Sequence, residues 1–452
     1  MTIAGKPIAS PRQWAREAGF AHGRLWLTIL LVGFLGGGLF FKSFVFVEDE
    51  PVVVNYLFNG IFIGAMLAGL LAVRGFVPIG RPVFLLLTFA AAWAMISSAV
   101  SGIAMNYVAT LAMIIMLAGC FYATPTICLW IGQEPWRLLN KLILIALAVS
   151  VIFLATPYGF GVDPLSGRFS GFFISVAVAC NFFFFGVVLN LASALRARTQ
   201  LEVNLYIVAI VASLIVLYLT RTRSSLIEAM FCFLVLATFS PMRRGMKMLV
   251  LTLAGWVFVL GIVSGTAVST GLVSVDEQLE EFRLSDSSLT DARNLNWEFG
   301  LQRIAERPIF GEGLLTKQTD GGTRDIKLGE GGSYNQVYDP HSLPLSLAVE
   351  CGVPFMIAMM GVITLILIRF VNRFGLIRAL QSPDFVLVAT HFAVMMLAGG
   401  DLTTLGNMVD KVFWVLVGSL EIKNSLVHPA DPRYRERSFI AGMINQRRPR
   451  AV

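Results

Sequence analysis

Five side chains stand where neither membrane topology nor packing demands them: Arg168, Arg221, Arg223, Arg293 and His341. An arginine keeps its charge at any physiological pH and offers a planar fork of donors that matches phosphate oxygens. A histidine titrates near neutrality and can accept or return a proton there. Together they suit a phosphate or diphosphate ligand: the arginines neutralise charge on a departing diphosphate while the imidazole handles a proton. Their contexts are Gly167-Arg168-Phe169-Ser170-Gly171, Thr220-Arg221-Thr222-Arg223-Ser224-Ser225, Asp291-Ala292-Arg293 and Asp339-Pro340-His341-Ser342. Arg223 is the preferred member of its pair, because it opens an apolar run. Each residue also has a plainer reading. Arg168 could anchor a lipid headgroup, one arginine of the pair could be structural, Arg293 could pair with neighbouring acids, and His341 could simply start a helix beside Pro340.

The elements that must position these groups follow from composition. Of 452 residues, 56% are hydrophobic and only 14% are charged, whereas soluble domains are near 25% charged. The mean hydropathy is +0.74. This excludes a water-soluble core, a disordered chain and a disulfide mini-fold, and predicts an all-α polytopic membrane protein. Runs of about 20 apolar residues predict about twelve spans: 25–46, 52–73, 83–100, 104–124, 138–157, 172–194, 203–219, 224–240, 247–269, 342–368, 384–400 and 405–421. The first run is too long for a signal-peptide core and is read as a retained span. With the N-terminus in the cytoplasm, 23 of the 35 Lys and Arg fall on the cytoplasmic side, as the positive-inside rule requires. Both termini are then expected inside, and the net charge of +7 reflects topology, with no nucleic-acid partner. Arg168, Arg221, Arg223, Arg293 and His341 all fall on the opposite, outer face.

The expected organisation is spans 1–9 over residues 1–270, an outer loop over 271–340, spans 10–12 over 341–425 and a basic cytoplasmic tail over 426–452. The loop carries 13 acidic and 7 basic residues. Thr290 can cap a helix that runs to Glu306 and stops at Pro308. The Gly-rich stretch from Gly311 to Tyr338 reads as loop, with Gly311-Glu312-Gly313 as a turn. Within the spans, Glu228 is costly unless it bonds a neighbour such as Ser224 or an arginine. Glu350 is similar, and His391 reads as a satisfied bundle histidine. Asp401 and Asp410 could position an acceptor sugar, although solvated helix ends are the simpler reading. The five cysteines show neither metal-site nor disulfide spacing. No phosphate-binding Gly loop, dinucleotide motif or metal-ligand cluster is visible, so no cofactor and no metal are expected.

Taken in order, Arg168-Phe169-Ser170-Gly171, Thr222-Arg223-Ser224-Ser225-Leu226, Arg293-Asn294-Leu295-Asn296-Trp297, Glu306-Arg307-Pro308-Ile309-Phe310-Gly311-Glu312-Gly313 and Pro340-His341-Ser342-Leu343 resemble the O-antigen ligase and Wzy-type polymerase superfamily. The resemblance covers about 165–355. It implies an inverting, metal-independent glycosyltransferase of the GT-C type in the bacterial inner membrane, with its site facing the periplasm. It implies an undecaprenyl-diphosphate-linked oligosaccharide as donor and a saccharide or lipid A-core as acceptor, with other polysaccharide-assembly proteins as partners. It assigns diphosphate binding to Arg168, Arg223 and Arg293, with Arg221 as an extra cation, and the general-base or orienting role to His341. Arg293 and His341 are the expected catalytic pair. Ser342 stands where family members often carry Asn. Polymerase is preferred over ligase, because no feature of the chain demands a lipid A-core acceptor.

Two other classes compete. A twelve-span transporter or flippase would often show two related halves, but here the large insertion lies between spans 9 and 10 on the outer side. A non-catalytic scaffold for a secretion complex is the third reading.

Overall fold

A computed structural model describes residues 21–41, 43, 52–72, 75–156, 161–162, 168–173, 175–220, 222–240, 287–314, 323–328, 332–337, 340, 342–398 and 408–426. The predicted ninth span, the N-terminal segment and the basic tail lie outside these residues, as do Arg221, His341 and Asp401.

The described chain is helical apart from one two-stranded ribbon. Its helices are α1 Ala21–Phe40, α2 Val52–Ala72, α3 Arg81–Ser101, α4 Ala104–Met116, α5 Thr124–Ile131, α6 Pro135–Leu154, α7 Val176–Arg196, α8 Gln200–Leu219, α9 Arg223–Phe239, α10 Ser287–Glu306, α11 Leu343–Phe374, α12 Leu376–Leu380, α13 Pro383–Ala398 and α14 Met408–Leu426. Seven are long and apolar enough to cross a membrane, counting α4 to α5 as one continuous span, and α1, α9 and α13 contain shorter apolar stretches. The predicted fourth span is longer than its apolar run suggests, because a π-helical turn at Leu117–Ala123 carries α4 into α5.

Local chemistry explains several boundaries. Thr199 caps α8 by accepting from the Glu202 amide, while the Glu202 carboxylate accepts from the Thr199 amide; this reciprocal capping satisfies two orphan donors. Pro82 starts α3 and Pro135 starts α6, where a missing N–H costs nothing. Thr290 falls inside α10, which begins three residues earlier at Ser287; its end at Glu306, before Pro308, is as expected.

α7 sits at the centre of the bundle against α6, α8, α9, α13 and α14. It buries four consecutive phenylalanines, Phe182 to Phe185, and Phe173 meets Phe182 edge-on at 4.9 Å. A helix apolar all round is suited to such a buried place. α14 is also buried along nearly its whole length, despite Asp410, Lys411 and Glu421. The reading of Asp410 as a solvated helix end is therefore corrected: it is 1% exposed. Lys411 beside it donates to Asn59 of α2 at 2.8 Å and lies over the Phe34 ring. A membrane-level charge survives by turning inward onto such partners.

The Gly-rich stretch expected as loop is also corrected. It contains an antiparallel pair, β1 Thr323–Leu328 and β2 Gly332–Val337, with Thr323 opposite Val337 and Leu328 opposite Gly332. Alternation in Thr323-Arg324-Asp325-Ile326-Lys327-Leu328 is partial, so the glycines dominated the sequence reading.

Candidate functional site

Arg168 lies in a tight loop ahead of α7. The amides of Ser170 and Gly171 both donate to the Gly161 carbonyl, at 2.7 and 2.9 Å. The Phe172 amide donates to Ser150 Oγ of α6 at 2.8 Å. So fixed, half-buried Arg168 donates from Nη1 to the Thr220 carbonyl at 3.4 Å. Thr222 Oγ1 donates to the same carbonyl, and Arg223 opens α9 directly after. The structure thus brings the Arg168 loop onto the α8–α9 turn that carries the Thr220–Ser225 motif. Arg221, in that turn, is outside the described residues, and of Arg223 only the backbone is described.

Helix α13 levels this turn with the start of α11. It runs antiparallel to α9: Gln381, just before α13, donates to the Phe239 carbonyl at the end of α9. Deep between them, Glu228 Oε2 of α9 and His391 Nδ1 of α13 are 2.9 Å apart, and both side chains are buried. Arg223 lies five residues, or about 7.5 Å, up α9 from Glu228, and Met396 lies the same distance up α13 from His391. The Met396 carbonyl accepts from Ser342 Oγ at 3.0 Å. Arg223 and Ser342 therefore begin their helices at the same height, on two sides of α13. Ser342 spends its hydroxyl on that tie. His341, between Pro340 and Ser342 in the chain, is outside the described residues.

The backbone of Arg293 lies in α10, which packs on α11. A Cβ added at Gly300 would meet Pro340 at 3.3 Å and Leu345 at 3.8 Å, so the two helices meet where α11 begins. Arg293 is seven residues earlier, on the same face and about 10 Å along the axis.

The anchor of α10 was not foreseen. α11 breaks at Cys351 and Gly352, where Gly352 has φ +84°. Chain following α10 fills the break. Val353 donates to the Pro308 carbonyl at 2.9 Å, Glu312 to the Val349 carbonyl at 2.9 Å and Gly313 to the Glu350 carbonyl at 2.6 Å. Trp93 Nε1 of α3 reaches the carbonyls of Ile309 and Cys351, both at 3.1 Å, and its ring stacks on Phe310. Ser97 Oγ donates to the Phe310 carbonyl, and Asn106 Nδ2 to that of Glu312 at 3.3 Å. Arg303 of α10 pairs with the Glu312 carboxylate. Broken helical backbone at membrane depth is tolerated only where protein satisfies the freed groups, and Pro308 to Gly313 does so here. Gly311-Glu312-Gly313 is thus more than a turn; it docks the loop helix into the bundle.

Two expectations about buried polar residues, one acid and one histidine, resolve. Glu228 bonds His391 rather than Ser224 or an arginine, and His391 sits among Phe184, Phe185 and Phe413. The five cysteines are all buried free thiols. Among the described residues, no three His, Cys, Asp or Glu come close enough to hold a metal ion.

The family described as O-antigen ligase matches residues 208–360. The matched O-antigen ligase region begins in α8 and ends in α11, covering about a third of the chain. It includes Arg221, Arg223, Arg293, His341 and the whole Pro308–Gly313 anchor, while Arg168 lies ahead of it. The match supports the O-antigen ligase and polymerase superfamily, and with the apolar helices it points to a multi-pass membrane enzyme of that type. No curated protein matches the chain.

Proposed function

We propose that the protein is a periplasm-facing glycosyltransferase of the inner membrane that moves a glycan from undecaprenyl diphosphate to a saccharide acceptor. The observation that carries this reading is the O-antigen ligase match over 208–360, which spans four of the five candidate residues. The contact of Arg168 with the Thr220 carbonyl, beside Arg223, supports a shared cationic site.

In this mechanism Arg168, Arg223 and Arg293 hold the donor diphosphate, with Arg221 as a further cation. His341 takes the proton of the acceptor hydroxyl as that oxygen attacks the anomeric carbon. The bond from that carbon to the diphosphate breaks, undecaprenyl diphosphate leaves with both electrons, and the configuration inverts. Fixed cations stabilise the growing charge best where water is scarce. The donor already carries its leaving group, so the reaction needs no nucleotide and is assigned no metal or cofactor.

Cells test the class. His341→Ala or Arg293→Ala should abolish polymer while lipid-linked repeats accumulate on the outer leaflet. Accumulation on the inner leaflet would instead indicate a flippase. Supplying purified protein with lipid-linked repeats and either a second repeat or lipid A-core separates the activities. Chain lengthening is expected, as the polymerase reading requires; transfer only to lipid A-core would mark a ligase.

A further inference from the structure

The outward ridge of α6 is charged at one end and apolar along the rest. Arg137, Lys141, Ile145, Ala148 and Ile152 follow at spacings of four, four, three and four, which aligns them within roughly 80° of arc. All five are exposed, Ile145 at 56% and Ile152 at 60%. On a helix long and apolar enough to cross a membrane, such a face meets lipid. The charged end is reinforced from α7. Asn140 Nδ2 of α6 donates to Ser193 Oγ of α7 at 2.9 Å, so the start of α6 lies beside the end of α7. Arg137 Cζ is 5.2 Å from the ring centre of buried Trp136, and Arg196 Cζ is 4.9 Å from it. Both are within cation–π range, and the two guanidinium groups lie within about 10 Å of each other.

One acid faces this group. The Glu134 carboxylate accepts from Arg137 Nε at 3.0 Å. Glu202, beyond the turn that follows Arg196, is turned back onto the amides of Arg198 and Thr199. Lys141 makes no hydrogen bond or ion pair among the described residues. Arg137, Lys141 and Arg196 against Glu134 leave an excess of positive charge at the head of an apolar ridge. Other basic residues on the same predicted side are taken up within the protein: Arg369 pairs with Glu421 at 2.9 Å, and Lys423 pairs with Asp384.

We infer that this ridge binds an anionic phospholipid of the cytoplasmic leaflet: Arg137 and Lys141, with Arg196 beside them, hold the headgroup phosphate, and an acyl chain lies along Ile145, Ala148 and Ile152. Basic clusters at the cytoplasmic ends of membrane helices suit such headgroups. A long lysine stem can lie on the apolar face while its ammonium reaches the headgroup level. A zwitterionic lipid offers the same chains but a phosphate already balanced by its own amine, so selectivity comes from the cations. The site is separate from the proposed glycan transfer and stands whether or not that reading holds.

The test uses the purified full chain in a non-ionic detergent with a limited supply of phosphatidylglycerol or phosphatidylcholine, and native mass spectrometry measures the lipid retained. Wild type should prefer phosphatidylglycerol by about 10-fold or more. Lys141→Gln is the clean variant, because Arg137→Gln would also strand buried Glu134. It should lower the preference about fivefold without changing the unfolding temperature measured in the absence of lipid, and Lys141→Arg should retain the preference. Arg378→Gln removes an exposed cation from α12 and should change the preference less than about twofold, since headgroup attraction is local. Equal retention of both lipids by wild type overturns the inference, and so does an unchanged preference in Lys141→Gln. An equal loss in Arg378→Gln also overturns it, because attraction to overall charge would then suffice. Equal protection from thermal unfolding by inorganic phosphate and phosphatidylglycerol would do the same, because the apolar ridge would then contribute nothing.

Discussion

At the scale of residues, the charged groups divide by what they touch. Arg168 bonds the backbone of the turn that precedes Arg223, so under the proposed function its removal takes away a ligand cation and one weak tie to that turn. Glu228 and His391 are a buried pair joining α9 to α13. Glu228→Gln keeps a group that can bond His391 and should cost under about 1 kcal/mol. Glu228→Ala leaves His391 without that bond and should cost roughly 1–2 kcal/mol, given the modest worth of hydrogen bonds between membrane helices. Thermal unfolding of the solubilised protein measures the order, and equal losses would contradict it. Much of this was legible beforehand. Arg168, Arg223 and Arg293 stand out because the predicted topology puts them on the outer face, where the positive-inside rule gives them no reason to be, and a buried Glu must find a partner. The identity of that partner was not legible, because His391 is 163 residues away and only the antiparallel packing of α9 and α13 joins them.

At the scale of elements, the Pro308–Gly313 anchor determines where α10 sits. Gly352 has a positive-φ, extended backbone that favours glycine, and an added Cβ would clash with the Ile309 carbonyl oxygen. Gly375 has a similar backbone, with φ +82° and ψ 149°, but faces open space. Gly375→Ala should thus cost only the conformational term of about 1–3 kcal/mol. Gly352→Ala adds a backbone clash and the loss of the docked segment, so it should unfold at a clearly lower temperature and lose transfer activity. Similar behaviour of the two variants would argue against the anchor. Arg303 and Glu312 close the same unit, with side chains 19% and 9% exposed. Removing either partner should cost roughly 3 kcal/mol, and the double alanine variant should cost little more than one alone, since coupled residues are not additive. Unfolding of the single and double variants checks this cycle. The sequence read as a helix stop followed by a turn, which was right locally. The break eight residues into α11 was signalled only by Gly352 and Pro354, inside an apolar run whose hydropathy continues through them.

At the scale of the whole molecule, membrane class and the order of helices followed from apolar runs alone, and the family match agrees with the motifs read from residues 165–355. Less legible was what lies inside the bundle. α14, with Asp410, Lys411, Glu421 and Lys423, reads as the poorest span and is among the most buried helices. Hydropathy measures transfer into lipid, whereas α14 is buried in protein. Topology can be checked by single cysteines labelled from outside intact cells after the native thiols are replaced. A cysteine at position 324 should react with an impermeant reagent, and one at 437 should not; the reverse pattern would invert the orientation. The proposed function requires Arg168, Arg223, Arg293 and His341 together to handle a lipid-linked diphosphate sugar. Its most direct test is glycan transfer by purified protein in nanodiscs, comparing wild type with Arg168→Ala, Arg223→Ala, Arg293→Ala and His341→Ala. Transfer by wild type is expected, with losses of roughly 10²- to 10³-fold for each variant and unfolding temperatures near that of wild type. Undiminished transfer by all four variants would contradict it.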